Sequence, residues 1–247
     1  MRTLLSALLL LTLIASLALA AEPEIITENG KRIAVHEGRR IGLNFDANMQ
    51  QFAKYDAQHP EPTGIVFVGS SSFVGWKTVA ADMAPLPVVN RAFGGSNSAQ
   101  LWYYADRAVV ARRPKLVVVY IGDNDMPAST VTVENYIKYV TLFIERVRAS
   151  LPETRFIFVS NKPSPSRWNL WDKYLAANAA LKALCEADPK LRYVDITHTL
   201  LDENGQVIAD RFLPDMLHVK PEVYVDWTAA VRPVVEEVWN SLQPPTQ

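Results

Sequence analysis

Three short, unbroken apolar runs constrain this chain more than anything else in it: Ile65-Val66-Phe67-Val68, Leu116 to Ile121, and Phe156-Ile157-Phe158-Val159. A run that is apolar at every position, rather than at every second one, suits a strand buried on both faces, as in a parallel sheet covered by helices. Val88-Val89 is a weaker run of the same kind, and Tyr193-Val194-Asp195-Ile196 reads as a fifth strand. Between the runs, apolar residues recur at helical spacing. Asn97 can cap a helix with Gln100 in its third position, with Leu101, Tyr104, Ala105 and Ala108 as the stripe before Pro114. Val133 to Val147, Trp171 to Cys185 and Val223 to Val235 repeat the pattern, and Pro233 is expected to kink or divide the last helix. Alternating strands and helices imply an α/β fold with a parallel, about five-stranded sheet. Ligands of such sheets bind outside the carboxyl ends of the strands. Ser71, Gly95 and Asn124 follow the first, second and third strands, so one edge of the sheet gathers them.

The chain divides into three parts. Met1-Arg2-Thr3 is a short basic start, Leu4 to Leu19 is almost wholly apolar, and Ala18-Leu19-Ala20 is a small-x-small cleavage pattern. Residues 1–20 therefore read as a signal peptide cleaved near Ala20, which predicts a secreted or periplasmic protein without a stable membrane anchor. Residues 21–63 are a polar lead-in, where Phe45, Met49 and Phe52 predict a helix laid against the domain. Residues 64–243 form a single domain without repeats or Pro/Gly-rich linkers. With 25 Lys plus Arg against 26 Asp plus Glu, no net field points to nucleic acid. The lone cysteine, Cys185, excludes an intramolecular disulfide and sits on an apolar helix side with Leu181 and Leu184, as a buried thiol would.

Four separated fragments carry what acyl-ester hydrolysis requires. Gly69-Ser70-Ser71-Ser72 offers a nucleophile, Phe93-Gly94-Gly95-Ser96 a glycine amide, Gly122-Asp123-Asn124-Asp125 a side-chain amide, and Asp215-Met216-Leu217-His218 a base three residues after a carboxylate. Any of the three serines could cap a helix after the first strand, and spacing alone does not separate them. The Gly-x-Ser-x-Gly elbow of α/β-hydrolases is absent, since Phe73 stands two residues after Ser71. Asp215 distinguishes His218 from His36, His59 and His198, because a carboxylate three residues away can fix the imidazole tautomer. Asp123 and Asp125 flank Asn124, but Met126-Pro127 follows where a calcium loop needs a glycine and more oxygens, and no zinc spacing occurs. No metal and no cofactor are expected.

These fragments resemble blocks I, II, III and V of the SGNH (GDSL-type) hydrolases, over roughly residues 64–228 including Trp76 and the Tyr224 to Trp227 stretch. The resemblance implies a flavodoxin-like three-layer α/β/α sandwich. It also implies Ser71 as nucleophile, His218 as base, Asp215 as its orienting carboxylate, and an oxyanion hole from the Ser71 and Gly95 amides with the Asn124 side chain. Ser70 replaces the family's usual aspartate, as in a subgroup whose block I reads Gly-Ser-Ser-Ser, and Val223 stands where a glycine is common.

The expected activity is a secreted serine esterase acting on carboxylic esters through an acyl-enzyme. A polar loop set (Asn97, Asp123, Asp125, Lys162 and Arg167) beside Trp168 and Trp171 suits short acyl groups on a carbohydrate better than a lipid tail. Lys162, Arg167 and Trp168, which follow the fourth strand, are the candidate substrate contacts. Acyl transfer to a sugar hydroxyl with the same residues is the alternative in another reaction class, and a catalytically silent binding module the alternative outside enzymes.

Overall fold

The computed structural model describes residues 22–243; the expected signal peptide lies outside the described residues. The lead-in opens with three antiparallel strands, β1 (Glu24–Glu28), β2 (Lys31–His36) and β3 (Arg39–Gly42), where only a helix was expected. Two-residue turns, Asn29-Gly30 and Glu37-Gly38, join them, and all four residues have positive φ. Turns of that hand match the twist of paired strands. The expected helix follows as α1 (Asp46–Gln58).

The main sheet contains β4 (Ile65–Gly69), β5 (Val88–Asn90), β6 (Leu116–Tyr120), β7 (Arg155–Val159) and β8 (Leu191–Val194), all parallel, in the order β5-β4-β6-β7-β8. The fifth strand thus begins and ends two residues before its expected span. Every residue of β4 and β6 is buried, as their unbroken apolar sequence requires. Alternate residues face opposite layers. Val66, Val68, Val117, Val119, Phe156 and Phe158 pack with α4 (Ser98–Ala108), α5 (Val133–Ser150) and α6 (Trp171–Glu186). Ile65, Phe67, Leu116, Val118, Ile157 and Val159 pack with α2 (Ser71–Gly75), α3 (Val79–Asp82) and α7 (Val223–Ser241). The result is a three-layer α/β/α sandwich, with the lead-in residues Ala34, Ile41, Leu43, Phe45 and Met49 added to the α4 side of the core.

Asn97 caps α4 through the reciprocal box with Gln100. Pro233 does not divide α7. It lies on the solvent side together with Ala229, whose carbonyl loses its helical donor and can take one from water instead. Cys185 is buried and free, and burial pushes its thiol up to about 12, so it is a packing residue.

Candidate active site

The strand order reverses between β4 and β6, and the crevice at such a point is where open α/β sheets bind ligands. Gly69 ends β4 at φ +138°, where any Cβ would collide with the Tyr120 carbonyl oxygen. Only glycine lets the chain leave the sheet so close to its neighbour. Ser70 then donates its amide to the Tyr120 carbonyl at 3.0 Å and stands in extended conformation before α2. Ser71 is the first residue of α2, so its amide lies at an end that the helical ladder leaves open.

The structure separates the three serines. Ser70 and Ser72 are buried, whereas Ser71 is half-buried and its Oγ lies 2.8 Å from His218 Nε2. On the far side of the ring, His218 Nδ1 lies 2.6 Å from Asp215 Oδ2. Asp215 Oδ1 accepts the Leu217 and His218 amides, each at 2.9 Å, which closes the loop around the carboxylate. The hydrogen bond to His218 holds the Asp215 carboxyl down at about 2, and the two backbone amides act in the same direction. A bare Nε2 facing a hydroxyl, with an anion across the ring, can accept the hydroxyl proton and carry the resulting charge.

The glycine turn after β5 sits against this pair. Phe93 donates its amide to the Gly69 carbonyl at 2.9 Å and Ser96 Oγ donates to the same oxygen at 3.1 Å. Gly95 has φ +84° with open space where a Cβ would be, and a Cβ on Gly94 would lie 3.7 Å from Ser71 Cβ. Asn124 follows β6, is half-buried, and donates Nδ2 to the Ser96 carbonyl at 3.0 Å. Ser71, Gly95, Asn124, Asp215 and His218 are therefore brought to one crevice.

The expected substrate contacts after β7 are placed differently from one another. Lys162 is buried, and its Nζ is bound to Asp123 Oδ2 at 2.9 Å, so it does not face the crevice. A buried ammonium requires such a partner. Burial alone would raise the Asp123 carboxyl, but Lys162 and Arg167 together hold it below its ordinary value. Arg167 is half-buried against Asp123 and Asn124. Trp168 is half-exposed and stacks on Trp171, ring centroids 5.9 Å apart and planes 15° apart.

One contact had no sequence signal. Arg39 of β3 reaches the buried Asp125 at 3.5 Å, and Asp125 in turn accepts the Ser98 amide at 2.9 Å and the Ser98 hydroxyl at 2.5 Å. The N-terminal sheet thereby touches the loop that carries Asn124. Among the described residues no cluster of three metal-ligating side chains occurs, and no helix is long and apolar enough to cross a membrane.

Residues 57–225 match the GDSL-like lipase/acylhydrolase family. The platelet-activating factor acetylhydrolase IB subunit alpha1 of Rattus norvegicus is 24% identical over 172 residues, covering 66% of this chain and 71% of that protein. A GDSL-like lipase from Bacteroides thetaiotaomicron shares the fold with a TM-score of 0.67 at 22% identity, over 77% of this chain and 98% of that one. A catalytic mutant of an acetylxylan esterase from Geobacillus stearothermophilus superposes with a TM-score of 0.55 at 12% identity, over 72% of this chain and 94% of its own.

Proposed function

This chain belongs to the GDSL-like lipase/acylhydrolase family of ester-hydrolysing enzymes, and on that premise we propose a secreted serine esterase that works through an acyl-enzyme. Its substrates are short-acyl esters, acetyl above all, on a carbohydrate or a similarly polar alcohol. The observation that carries the mechanism is the unbroken line from Asp215 through His218 to Ser71, at 2.6 and 2.8 Å, ending beside Asn124 and the Gly95 turn.

Ser71 Oγ attacks the ester carbonyl as His218 Nε2 takes its proton, and Asp215 stabilises the imidazolium. The Ser71 and Gly95 amides and the second Nδ2 hydrogen of Asn124 receive the oxyanion, where charge develops as the carbonyl becomes tetrahedral. His218 returns the proton to the departing alkoxide. Water, deprotonated by the same imidazole, attacks the acyl-serine; collapse frees the carboxylic acid and restores the Ser71 hydroxyl.

The substrate class rests on lighter support. The half-exposed Trp168–Trp171 stack, which follows Arg167 directly in the chain, offers an apolar ring surface, the kind of face on which a sugar ring lies. The named relative is an acetylhydrolase and one structural neighbour an acetylxylan esterase, which agrees with a small acyl group. Secretion rests on the Met1 to Ala20 pattern, and amino-terminal sequencing of the protein from its host tests it.

Mass spectrometry after fluorophosphonate labelling should place the adduct on Ser71. Against p-nitrophenyl esters of increasing length, kcat/KM should peak at acetate, and acetylated glycans should release acetate. If an apolar acyl tunnel existed, each added methylene would contribute about 0.8 kcal/mol of transfer. A kcat/KM that climbs steadily beyond octanoate therefore overturns the short-acyl reading, and an adduct on Ser70 or Ser72 overturns the nucleophile.

A further inference from the structure

A side-chain amide serves as an oxyanion donor only if its nitrogen, not its oxygen, faces the substrate. The two ends of Asn124 are sorted by partners of opposite kind. Nδ2 donates to the Ser96 carbonyl at 3.0 Å, an atom that only accepts. Oδ1 accepts from Arg167 Nη2 at 3.3 Å, a group that only donates. Reversing the amide would set donor against donor at one end and acceptor against acceptor at the other. With one Nδ2 hydrogen committed to Ser96, the other remains for the crevice.

The guanidinium that does this sorting is itself held from several sides. Arg167 Nη1 donates to Asp123 Oδ1 at 2.8 Å and also to the Asp123 carbonyl. Asp123 is buried, and its other carboxylate oxygen receives Lys162 Nζ at 2.9 Å and the Tyr120 hydroxyl at 3.1 Å. The Tyr174 hydroxyl donates to the Asp123 carbonyl at 2.8 Å. Residues from β6, from the segment after β7 and from α6 thus fix one carboxylate, and that carboxylate fixes the arginine. The side chain of Arg167 is 19% exposed, and its fork is already spent on Asp123 and Asn124.

We propose that Arg167 is a positioning residue of the ester-hydrolysing site: by bridging Asp123 and Asn124 it sets which end of the Asn124 amide meets the oxyanion, and it is not the substrate contact that its place in the sequence suggested. The proposal rests on the reading of Asn124 as an oxyanion donor. A planar fork with two nitrogens can serve two acceptors at once, whereas the single ammonium of lysine cannot reproduce that geometry.

A double-mutant cycle on p-nitrophenyl acetate tests it. Asn124→Ala should lower kcat by about 10²–10³, as loss of one oxyanion donor does. Arg167→Met should lower kcat by roughly 10–100-fold, the scale of a misplaced catalytic group, with KM nearly unchanged. In the Asn124→Ala background the same Arg167→Met change should cost less than about threefold, because the group it positions is gone. Losses that simply multiply overturn the proposal, since Arg167 would then act without Asn124.

Arg167→Lys guards against a folding artefact. It keeps a cation on Asp123 and should keep thermal stability, yet its kcat should fall like that of Arg167→Met; wild-type kcat in this variant overturns the bridging role. A readout free of turnover is the side-chain amide resonance of Asn124 in a nitrogen–proton correlation spectrum, assigned by its loss in Asn124→Ala. It should move in Arg167→Lys and Arg167→Met while the Gly95 backbone amide stays in place. An unmoved Asn124 resonance overturns the positioning role even if the ester chemistry stands. A wild-type protein without esterase turnover overturns the functional reading instead, with the resonance still deciding the positioning role.

Discussion

Asp215→Asn probes the proposed base more sharply than removal of His218, because it retains every atom position and changes only which atoms donate. Asp215 Oδ1 holds the Leu217 and His218 amides, while Oδ2 faces His218 Nδ1 at 2.6 Å. An asparagine that keeps its oxygen on the two amides must present its NH2 to Nδ1. That arrangement favours a bare Nδ1 and moves the ring proton to Nε2, the atom that has to be bare to accept from Ser71. The opposite orientation sets NH2 against two backbone N–H groups and forfeits two hydrogen bonds, about 2 kcal/mol in total at ~1 each. Reaching the reactive tautomer therefore costs roughly 2–3 kcal/mol by the easier route. The carboxylate's attraction to imidazolium is lost as well, worth about 1 kcal/mol at 4 Å in water and about 4 at an effective dielectric constant of 20. With Asp215 48% and His218 35% exposed, solvent screening keeps that second contribution near the lower value, ~1–2 kcal/mol. Together these give about 3–5 kcal/mol, or a kcat lower by about 10²–10⁴ at 1.36 kcal/mol per decade. The assay is steady-state hydrolysis of p-nitrophenyl acetate, with circular dichroism showing that the variant is folded. A folded Asp215→Asn variant with kcat within tenfold of wild type refutes the tautomer argument.

Ser71→Ala should abolish turnover with the fold intact by circular dichroism, while Ser70→Ala and Ser72→Ala, which alter only buried hydroxyls, should remain active. The Asp215 carboxyl sits at about 2 in the folded protein against an ordinary 3.8, so its contribution is present above the ordinary value and is lost as pH falls through about 2. Hydrogen exchange of the Leu217 and His218 amides should accelerate across that acid window in wild type and show no such step in Asp215→Asn. Arg39→Met should destabilise the fold by about 1–3 kcal/mol, below the usual cost of stripping one partner from a buried pair, because Ser98 still binds Asp125. Burial already raises the Asp125 carboxyl despite Ser98 and Arg39, and a raised carboxyl value favours the fold at low pH and disfavours it as pH rises. The Arg39→Met deficit, read from denaturant midpoints, should therefore shrink as pH falls from neutral; a constant deficit contradicts the electrostatic account.

How much was legible follows from how local each signal is. The buried strands declared themselves because a strand covered on both faces has no polar positions to dilute it, and the Asn97–Gln100 cap did so because its two bonds lie within four residues. The N-terminal sheet did not. Nearly every residue of β1 faces solvent, so no alternation marks it, and the Asn29-Gly30 turn is flanked directly by polar Glu28 and by Lys31-Arg32. Which of Ser70, Ser71 and Ser72 faces His218 is a matter of helical phase at the start of α2, and caps and nucleophiles favour the same residue type. Lys162 was placed at the right edge of the sheet but in the wrong direction: strand position tells where a residue leaves the sheet, whereas its partner Asp123 lies 39 positions away. The Arg39–Asp125 contact is of the same long-range kind.

The parts of the crevice differ in what holds them still. β4 and β6 run in register from Ile65 opposite Leu116 to Gly69 opposite Tyr120, so the starting points of the Ser71 and Asn124 segments are set by the strand spacing of the sheet itself, about 4.8 Å. His218 instead hangs from a loop closed by the Phe212–Val219 bridge and the 2.7 Å bond from the Leu213 amide to the His218 carbonyl. On heating, a loop with exposed hydrogen bonds opens before a buried sheet does. On the proposed reading, the base is therefore held less firmly than the nucleophile, and activity should fade reversibly below the temperature at which the sheet melts.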